Sequence, residues 1–163
     1  KTSIDNQYQF QILDAVMNVN EQQKTKLIPT VQDFFGKDLK GKKIAMWGLA
    51  FKPYTDDIRE APALKIIEEL VKLGAKITAY DPEAMGNVKS KIGTTIQYAE
   101  NQYQALEKAD ALIIATEWTE FRTPDFEKMN TSFSNKIVFD GRNLFDAANM
   151  RELGYQYFSI GRN

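Results

Sequence analysis

Short apolar runs alternate with amphipathic helical patterns through most of this 163-residue chain. Apolar runs of about four to eight residues indicate buried strands, whereas apolar residues that recur every three or four positions indicate helices. We expect strands at 43–48, 76–80, 94–98, 111–116, 136–140 and 155–160, and helices at 63–73, 99–108, 125–129 and 146–153. Strands that alternate with helices form parallel sheets with right-handed crossovers. The sequence therefore predicts an α/β fold, with a Rossmann-like parallel sheet flanked by helices.

Residues 7–35, ahead of this alternation, form one polar stretch that favours a helix. Ile12, Val16 and Val19 recur at helical spacing, Pro29 is expected to kink or split the helix, and Gly36 to end it. Such a helix either packs on its own domain or connects domains and forms a dimer. We divide the chain into a connecting and dimerisation helix region, 1–36, and a Rossmann-like domain, 37–163.

Composition excludes several kinds of chemistry. The chain has no cysteine and no histidine, so thiol nucleophiles, disulfides and imidazole bases are ruled out. With 21 Lys and Arg against 22 Asp and Glu, no general nucleic-acid or membrane surface is expected. The longest apolar runs are too short for a transmembrane helix. The chain begins at Lys1 rather than at methionine, which suggests an excerpt or a cleavage product.

The segment 48–60, GLAFKPYTDDIRE, carries the strongest functional signal. It lies between the first predicted strand and a helix, at the sheet edge where open α/β proteins bind ligands. Lys52, Asp56, Asp57 and Arg59 crowd four charges into eight residues. The two carboxylates are expected to order the loop by bonding backbone amides or Arg59. A receiver-type phosphorylation pocket would instead need an aspartate and a lysine at positions occupied by Tyr98 and Gly141.

The segment lacks the second and third glycines of a dinucleotide-binding G-x-G-x-x-G loop. Lys52 can supply an anion contact from its side chain instead. Asp81, at the end of the second strand, occupies the place of the ribose-binding acid of dinucleotide folds, but the following Pro82 favours a turn.

Two further segments reach the same predicted edge. Arg142 follows the fifth strand, and it either faces a common crevice with Lys52 or pairs with Asp140 or Asp146 as a surface ion pair. Residues 116–121, TEWTEF, follow the fourth strand and are expected to cap a short helix, with Thr116 as its N-cap.

The chain resembles the UDP-glucose 6-dehydrogenase family along nearly its whole length. The shared segments are the loop 48–60, ITAYDP at 77–82, DALIIATEWTEF at 110–121, FDGRN at 139–143 and GYQYFSIGR at 154–162. Residues 15–23, AVMNVNEQQ, resemble the central helix that joins the two domains of the family. TEW-x-EF and DGRN favour the UDP-glucose branch over relatives that act on GDP-mannose or UDP-N-acetylmannosamine.

The resemblance implies the C-terminal, UDP-sugar-binding part of a cytoplasmic, dimeric enzyme of polysaccharide biosynthesis. The family oxidises UDP-glucose to UDP-glucuronate with NAD, through a cysteine thiolate that would precede Lys1. By resemblance, Phe51, Lys52 and Arg142 bind the UDP-sugar, and Arg59 reaches the NAD phosphates across the domain cleft. No catalytic residue and no metal are expected in this chain. The alternatives are the same domain of another nucleotide-sugar dehydrogenase and a non-catalytic nucleotide-binding or dimerisation module.

Overall fold

The computed structural model describes residues 11–161, with the side chain of Gln11 left out. Six parallel strands form one sheet in the order β3-β2-β1-β4-β5-β6. The strands are β1 Lys43–Trp47, β2 Lys76–Tyr80, β3 Gln97–Tyr98, β4 Ala111–Ile114, β5 Ile137–Asp140 and β6 Gln156–Ser159. This doubly wound, Rossmann-like α/β fold confirms the predicted fold class.

Eight helices occur in the described residues, most of them in the crossovers between strands. They are α1 Gln11–Lys24, α2 Leu27–Phe35, α3 Pro62–Lys72, α4 Met85–Ile92, α5 Gln102–Leu106, α6 Thr119–Arg122, α7 Phe126–Ser132 and α8 Ala147–Glu152. Asp146 caps α8, because its side chain accepts a hydrogen bond from the backbone N–H of Asn149 at 3.0 Å. No helix in residues 11–161 is long and apolar enough to cross a bilayer.

The core is concentrated on the central strands. All residues of β4 and β5 are buried, as are the last four of β1. Trp47 is completely buried, stacks on Phe121 at 5.2 Å, and donates its indole N–H to the carbonyl of Gln102 at 2.9 Å. Because buried parallel strands read as continuous apolar runs, these strands were the easiest to predict.

The N-terminal helical stretch differs from the prediction. It is split into two helices, which is one of the two predicted outcomes, but the break falls at Thr25 and Lys26 rather than at Pro29. Pro29 lies in the first turn of α2, where a backbone N–H has no partner within the helix, so its missing N–H breaks no helical hydrogen bond. The carbonyl of Thr25 accepts from the N–H of Ile28 at 2.9 Å. The break therefore falls one turn earlier than predicted. Gly36 ends α2 as expected, and residues 7–10 of the predicted helix lie outside the described residues.

Two helices near the sheet edge also depart from the prediction. The helix α4 was missed, because only Val88 of its eight residues is buried and its amphipathic pattern is weak. The prediction that Thr116 caps the helix after β4 is wrong. That helix, α6, begins three residues later at Thr119, and the Thr116 hydroxyl donates to the carbonyl of Ala50 at 2.7 Å.

Candidate functional site

The connections that follow β1, β4 and β5 meet at the carboxyl edge of the sheet. Gly48 begins the first connection with φ +92°, and a Cβ at this position would lie 2.4 Å from Cβ of Thr116. Only glycine satisfies both the backbone conformation and this close approach. The loop 48–60 is therefore pressed against the end of β4, which brings two of the predicted ligand-edge segments into contact.

Asp81, which follows β2, fixes the base of this loop. Its carboxylate is 1% exposed and accepts five hydrogen bonds. The donors are the backbone amides of Leu49 (2.7 Å), Ala50 (3.0 Å), Glu83 (2.9 Å) and Ala84 (2.8 Å), and the indole N–H of Trp118 (3.0 Å).

These bonds confirm that Asp81 starts a turn and leave it no acceptor site for a ribose hydroxyl, since a carboxylate offers about four lone-pair sites. They also occupy the loop amides that a dinucleotide pyrophosphate would need. The loop of this chain does not fit the NAD pyrophosphate.

Phe51 and Arg142 come together at the edge. The carbonyl of Phe51 accepts from Nη2 of Arg142 at 3.2 Å, and its amide donates to the carbonyl of Asp57 at 2.8 Å. The Phe51 side chain is 45% exposed, and the following Lys52 is exposed as well. The structure thus places the Arg142 guanidinium against the backbone that carries Lys52.

Arg142 has a partner that the sequence did not reveal. Its Nε lies 2.6 Å from Oε2 of Glu117, in the connection after β4. The N–H is not directed at the oxygen, so neither atom has a hydrogen bond within the described part of the chain. The predicted alternative, a side-chain pair with Asp140 or Asp146, is wrong. The sequence places TEWTEF at this edge, but nothing in it indicates that Glu117 pairs with Arg142.

Asp140 instead shapes the connection that carries Arg142. This carboxylate is fully buried and accepts from the backbone amides of Arg142 at 2.8 Å and Leu144 at 2.7 Å, and from the hydroxyl of Tyr157 at 2.7 Å. Asp140 and Asp81 therefore have parallel roles, since each holds the backbone of one connection at the carboxyl edge.

Arg59 has other partners than Arg142 and lies on the solvent side of the loop. Its side chain is 87% exposed and pairs with Asp57, with Nη2 at 2.8 Å from Oδ2. The backbone amide of Arg59 also donates to Asp57 at 2.9 Å. These bonds lower the pKa of Asp57 from 3.8 to about 2. The prediction that Asp57 orders the loop through Arg59 is confirmed, whereas Asp56 accepts from the side chain of Asn87 at 3.0 Å.

A cleft of about 660 Å³ opens beside Arg142, between the sheet edge and α1. Its lining includes Leu27, Phe51, Ile114 and Arg142, together with Lys24 from α1. The Lys24 ammonium forms ion pairs with Glu21 and with Glu60 at the end of the loop, and these contacts raise its pKa. The lining of the cleft is mainly apolar and includes a few charged groups, as is usual for small-molecule sites.

No group of three or more acidic side chains that could hold a metal ion occurs in residues 11–161. The two adjacent aspartates of the loop point to different partners, Asn87 and Arg59. This arrangement gives no support to the receiver-type alternative.

Comparison with known proteins assigns the chain to a family. The sequence model of the UDP-glucose/GDP-mannose dehydrogenase family, UDP binding domain, matches residues 45–147. The chain belongs to this family. The matched region contains all three connections that form the carboxyl-edge site, and the resemblance seen in the sequence is confirmed.

Individual relatives and a solved structure support the same family assignment. The chain is 43% identical over 160 residues to a UDP-glucose 6-dehydrogenase of Pseudomonas aeruginosa, covering 95% of this chain and 35% of the relative. A UDP-glucose 6-dehydrogenase of Bacillus subtilis is 40% identical, with 95% and 33% covered. The structure of a UDP-glucose dehydrogenase from Pyrobaculum islandicum superimposes with a TM-score of 0.79 at 27% identity, covering 98% of this chain and 34% of the other. The chain thus spans about a third of the length of these relatives.

Proposed function

We propose that this chain is the nucleotide-sugar-binding part of an NAD-dependent UDP-glucose 6-dehydrogenase, which converts UDP-glucose to UDP-glucuronate. The observation that carries the proposal is the Arg142 guanidinium on the Phe51 carbonyl, at the carboxyl edge of a domain of this family. The identity of 43% to a UDP-glucose 6-dehydrogenase supports UDP-glucose as the substrate.

In this proposal Phe51, Lys52 and Arg142 bind the UDP-sugar. Arg142 is fixed by Phe51 and Glu117, and Lys52 is exposed on the adjacent residue, so both cations are available to one diphosphate. Guanidinium groups suit phosphate geometry, and an ammonium adds a point charge. The cleft beside Arg142, about 660 Å³ in volume, is large enough for a nucleotide sugar.

NAD and the covalent chemistry are assigned to a domain beyond this chain. The amides that a pyrophosphate would need are bonded to Asp81, and the chain has no cysteine. Arg59 is 87% exposed, which suits a contact with NAD held by another domain. We therefore expect no dehydrogenase activity from this chain alone, and we place the complete enzyme in the cytoplasm, where NAD is abundant.

The helix region 1–36 is proposed to connect the domains and to form a homodimer, with 37–163 as the UDP-sugar-binding domain. On α1, Ile12 is 79% exposed, Val16 51%, Met17 65% and Val19 53%. An apolar surface of this kind on one helix favours contact with another protein surface.

Calorimetric titration of the chain with UDP, UDP-glucose, GDP and NAD tests the proposal. We expect UDP and UDP-glucose to bind, and GDP and NAD to give no measurable heat. Tighter binding of GDP than of UDP would favour another nucleotide-sugar dehydrogenase. Absence of binding by all four ligands would contradict the proposal and favour a dimerisation module.

A further inference from the structure

We propose that Asp81 is a positioning residue for the nucleotide site. Its buried carboxylate holds the backbone immediately before Phe51 and Lys52, so that a nucleotide meets a loop that already has its binding shape. The inference rests on the proposed function, because it takes Phe51 and Lys52 as ligand contacts.

One oxygen of Asp81 accepts hydrogen bonds from both the loop and the connection after β4. Oδ2 accepts from the amides of Leu49 at 2.7 Å and Ala50 at 3.0 Å, and from the indole N–H of Trp118 at 3.0 Å. Leu49 and Ala50 are themselves fully buried. The two residues that precede Phe51 are therefore fixed by a side chain from a different strand.

The other oxygen is fixed by its own turn. Oδ1 accepts from the amides of Glu83 at 2.9 Å and Ala84 at 2.8 Å, so the carboxylate cannot rotate without breaking bonds on both sides. A buried charge is tolerated only when donors surround it, and here the five donors supply that environment. The arrangement is a rigid link between the ends of β1, β2 and β4.

Further contacts connect the rest of the loop to Asp81 and to the end of β4. The Thr116 hydroxyl donates to the carbonyl of Ala50 at 2.7 Å, which holds the same residue from the β4 side. Trp118, held by Asp81, contacts the ring of Tyr54 at 5.6 Å, and the Tyr54 hydroxyl bonds to Thr119. Asp81 thus acts on the base of the loop directly and on its tip through Trp118.

An asparagine would not replace this carboxylate. It has one acceptor oxygen, and its NH₂ group would face donors wherever it was placed. Asp81→Asn is therefore expected to release either the Leu49–Ala50 amides or the Glu83–Ala84 turn. Asp110→Asn is a control. Asp110 also accepts a hydrogen bond from a backbone amide, that of Lys43 at 2.8 Å. This bond lies at the start of β1 and β4, at the other end of the strands from the loop.

The experiment combines UDP calorimetry with amide hydrogen exchange on the wild-type chain and both variants. For Asp81→Asn we expect about tenfold weaker UDP binding, as when a charge-assisted contact is lost. We also expect lost protection at Leu49 and Ala50, with unchanged protection at Ile113 and Phe139 in the sheet. Asp110→Asn should bind UDP as the wild type does, because its amide oxygen can still accept the bond from Lys43.

Several results would overturn the proposal. One is UDP affinity of Asp81→Asn within twofold of wild type, and another is equal weakening by both variants. If Asp81→Asn does not fold, exchange on the wild-type chain decides. Leu49 and Ala50 should be protected before UDP is added, and protection that appears only with UDP refutes preorganisation by Asp81. Failure of the proposed function looks different, because the wild type itself would then not bind UDP while its exchange pattern still tests Asp81.

Discussion

The guanidinium Nε of Arg142 lies 2.6 Å from the carboxylate of Glu117, within a pair that is only about one-third exposed on either side. The side-chain exposures are 31% and 27%, so water screens this pair less than a surface ion pair. The cation proposed to hold UDP phosphates is therefore partly neutralised before any ligand arrives. Glu117 sets both the position of Arg142 and the charge that the site offers to an anion.

Replacing Glu117 with glutamine should strengthen UDP binding. The amide keeps the shape of the side chain but removes a negative charge beside the proposed phosphate position. We expect UDP affinity to rise about three- to tenfold, with a steeper loss of affinity on adding salt. Calorimetry at two ionic strengths measures both effects. Glu120→Gln, on an exposed glutamate three residues further on, is the control and should bind as wild type. Weaker binding by Glu117→Gln would mean that positioning of Arg142 outweighs charge.

Truncation of the site's cations should affect UDP binding in two different ways. Lys52→Ala and Arg142→Ala should each weaken UDP binding by the chain about ten- to a hundredfold, since charge-assisted bonds to phosphate contribute about 1.5–3 kcal/mol. The loss should be larger for Arg142→Ala, because Glu117, whose side chain is only 27% exposed, then stays charged without its partner.

Arg59→Ala is the matched control for these truncations. Its side chain is 87% exposed and pairs with Asp57 rather than with the cleft, so UDP binding should stay nearly unchanged. In the complete enzyme the same change should raise the KM for NAD. Loss of UDP binding with Arg59→Ala, together with wild-type affinity for Lys52→Ala and Arg142→Ala, would reverse the assigned roles.

Most of the fold could be predicted because its information is local. The central strands are continuous apolar runs, and Pro62, Gly36 and Asp146 mark helix ends through properties of single residues. The sequence did not predict that the helices break at Thr25 and Lys26. Pro29 is tolerated in the first turn of α2, so the break lies before this proline rather than at it.

The candidate site was predictable only in part, because its contacts join distant segments. The sequence marked Lys52, Arg59 and Arg142 as cations at one edge, but it did not show that Glu117 faces Arg142. Nor did it show that Asp81 reaches Leu49, 32 positions away. A buried aspartate after a strand looks the same in sequence whether it binds a ligand or its own backbone.

The exposed apolar face of α1 should make the chain self-associate. Val16→Glu and Val19→Glu place a charge on this face, where a partner helix would bury it, and should shift the chain from dimer to monomer. Sedimentation measurements give the mass in solution. Asn18→Glu adds the same charge to α1 away from this face and should leave the dimer intact. A monomeric wild-type chain would count against α1 as the interface.

The Asp57–Arg59 contact should give the loop an acid-sensitive element. Bonds from Arg59 lower the pKa of Asp57 from 3.8 to about 2 in the folded chain. Because the folded pKa lies below the unfolded one, the contact stabilises the loop fully above pH 3.8, and this contribution is lost as the pH falls toward about 2. Carboxyl carbon NMR should therefore give a midpoint near 2 for Asp57, and Arg59→Ala should return it toward 3.8.

Glu68 supplies an internal reference for this titration. Its pKa is also lowered to about 2, by Lys72 and Lys65 on α3. Since these partners are independent of the loop, Arg59→Ala should leave the Glu68 midpoint unchanged. A wild-type Asp57 that titrates near 3.8 while Glu68 titrates near 2 would show that Arg59 does not pair with Asp57 in solution. Arg59 would then be free to contact other groups, and the wild-type UDP affinity expected for Arg59→Ala would no longer follow.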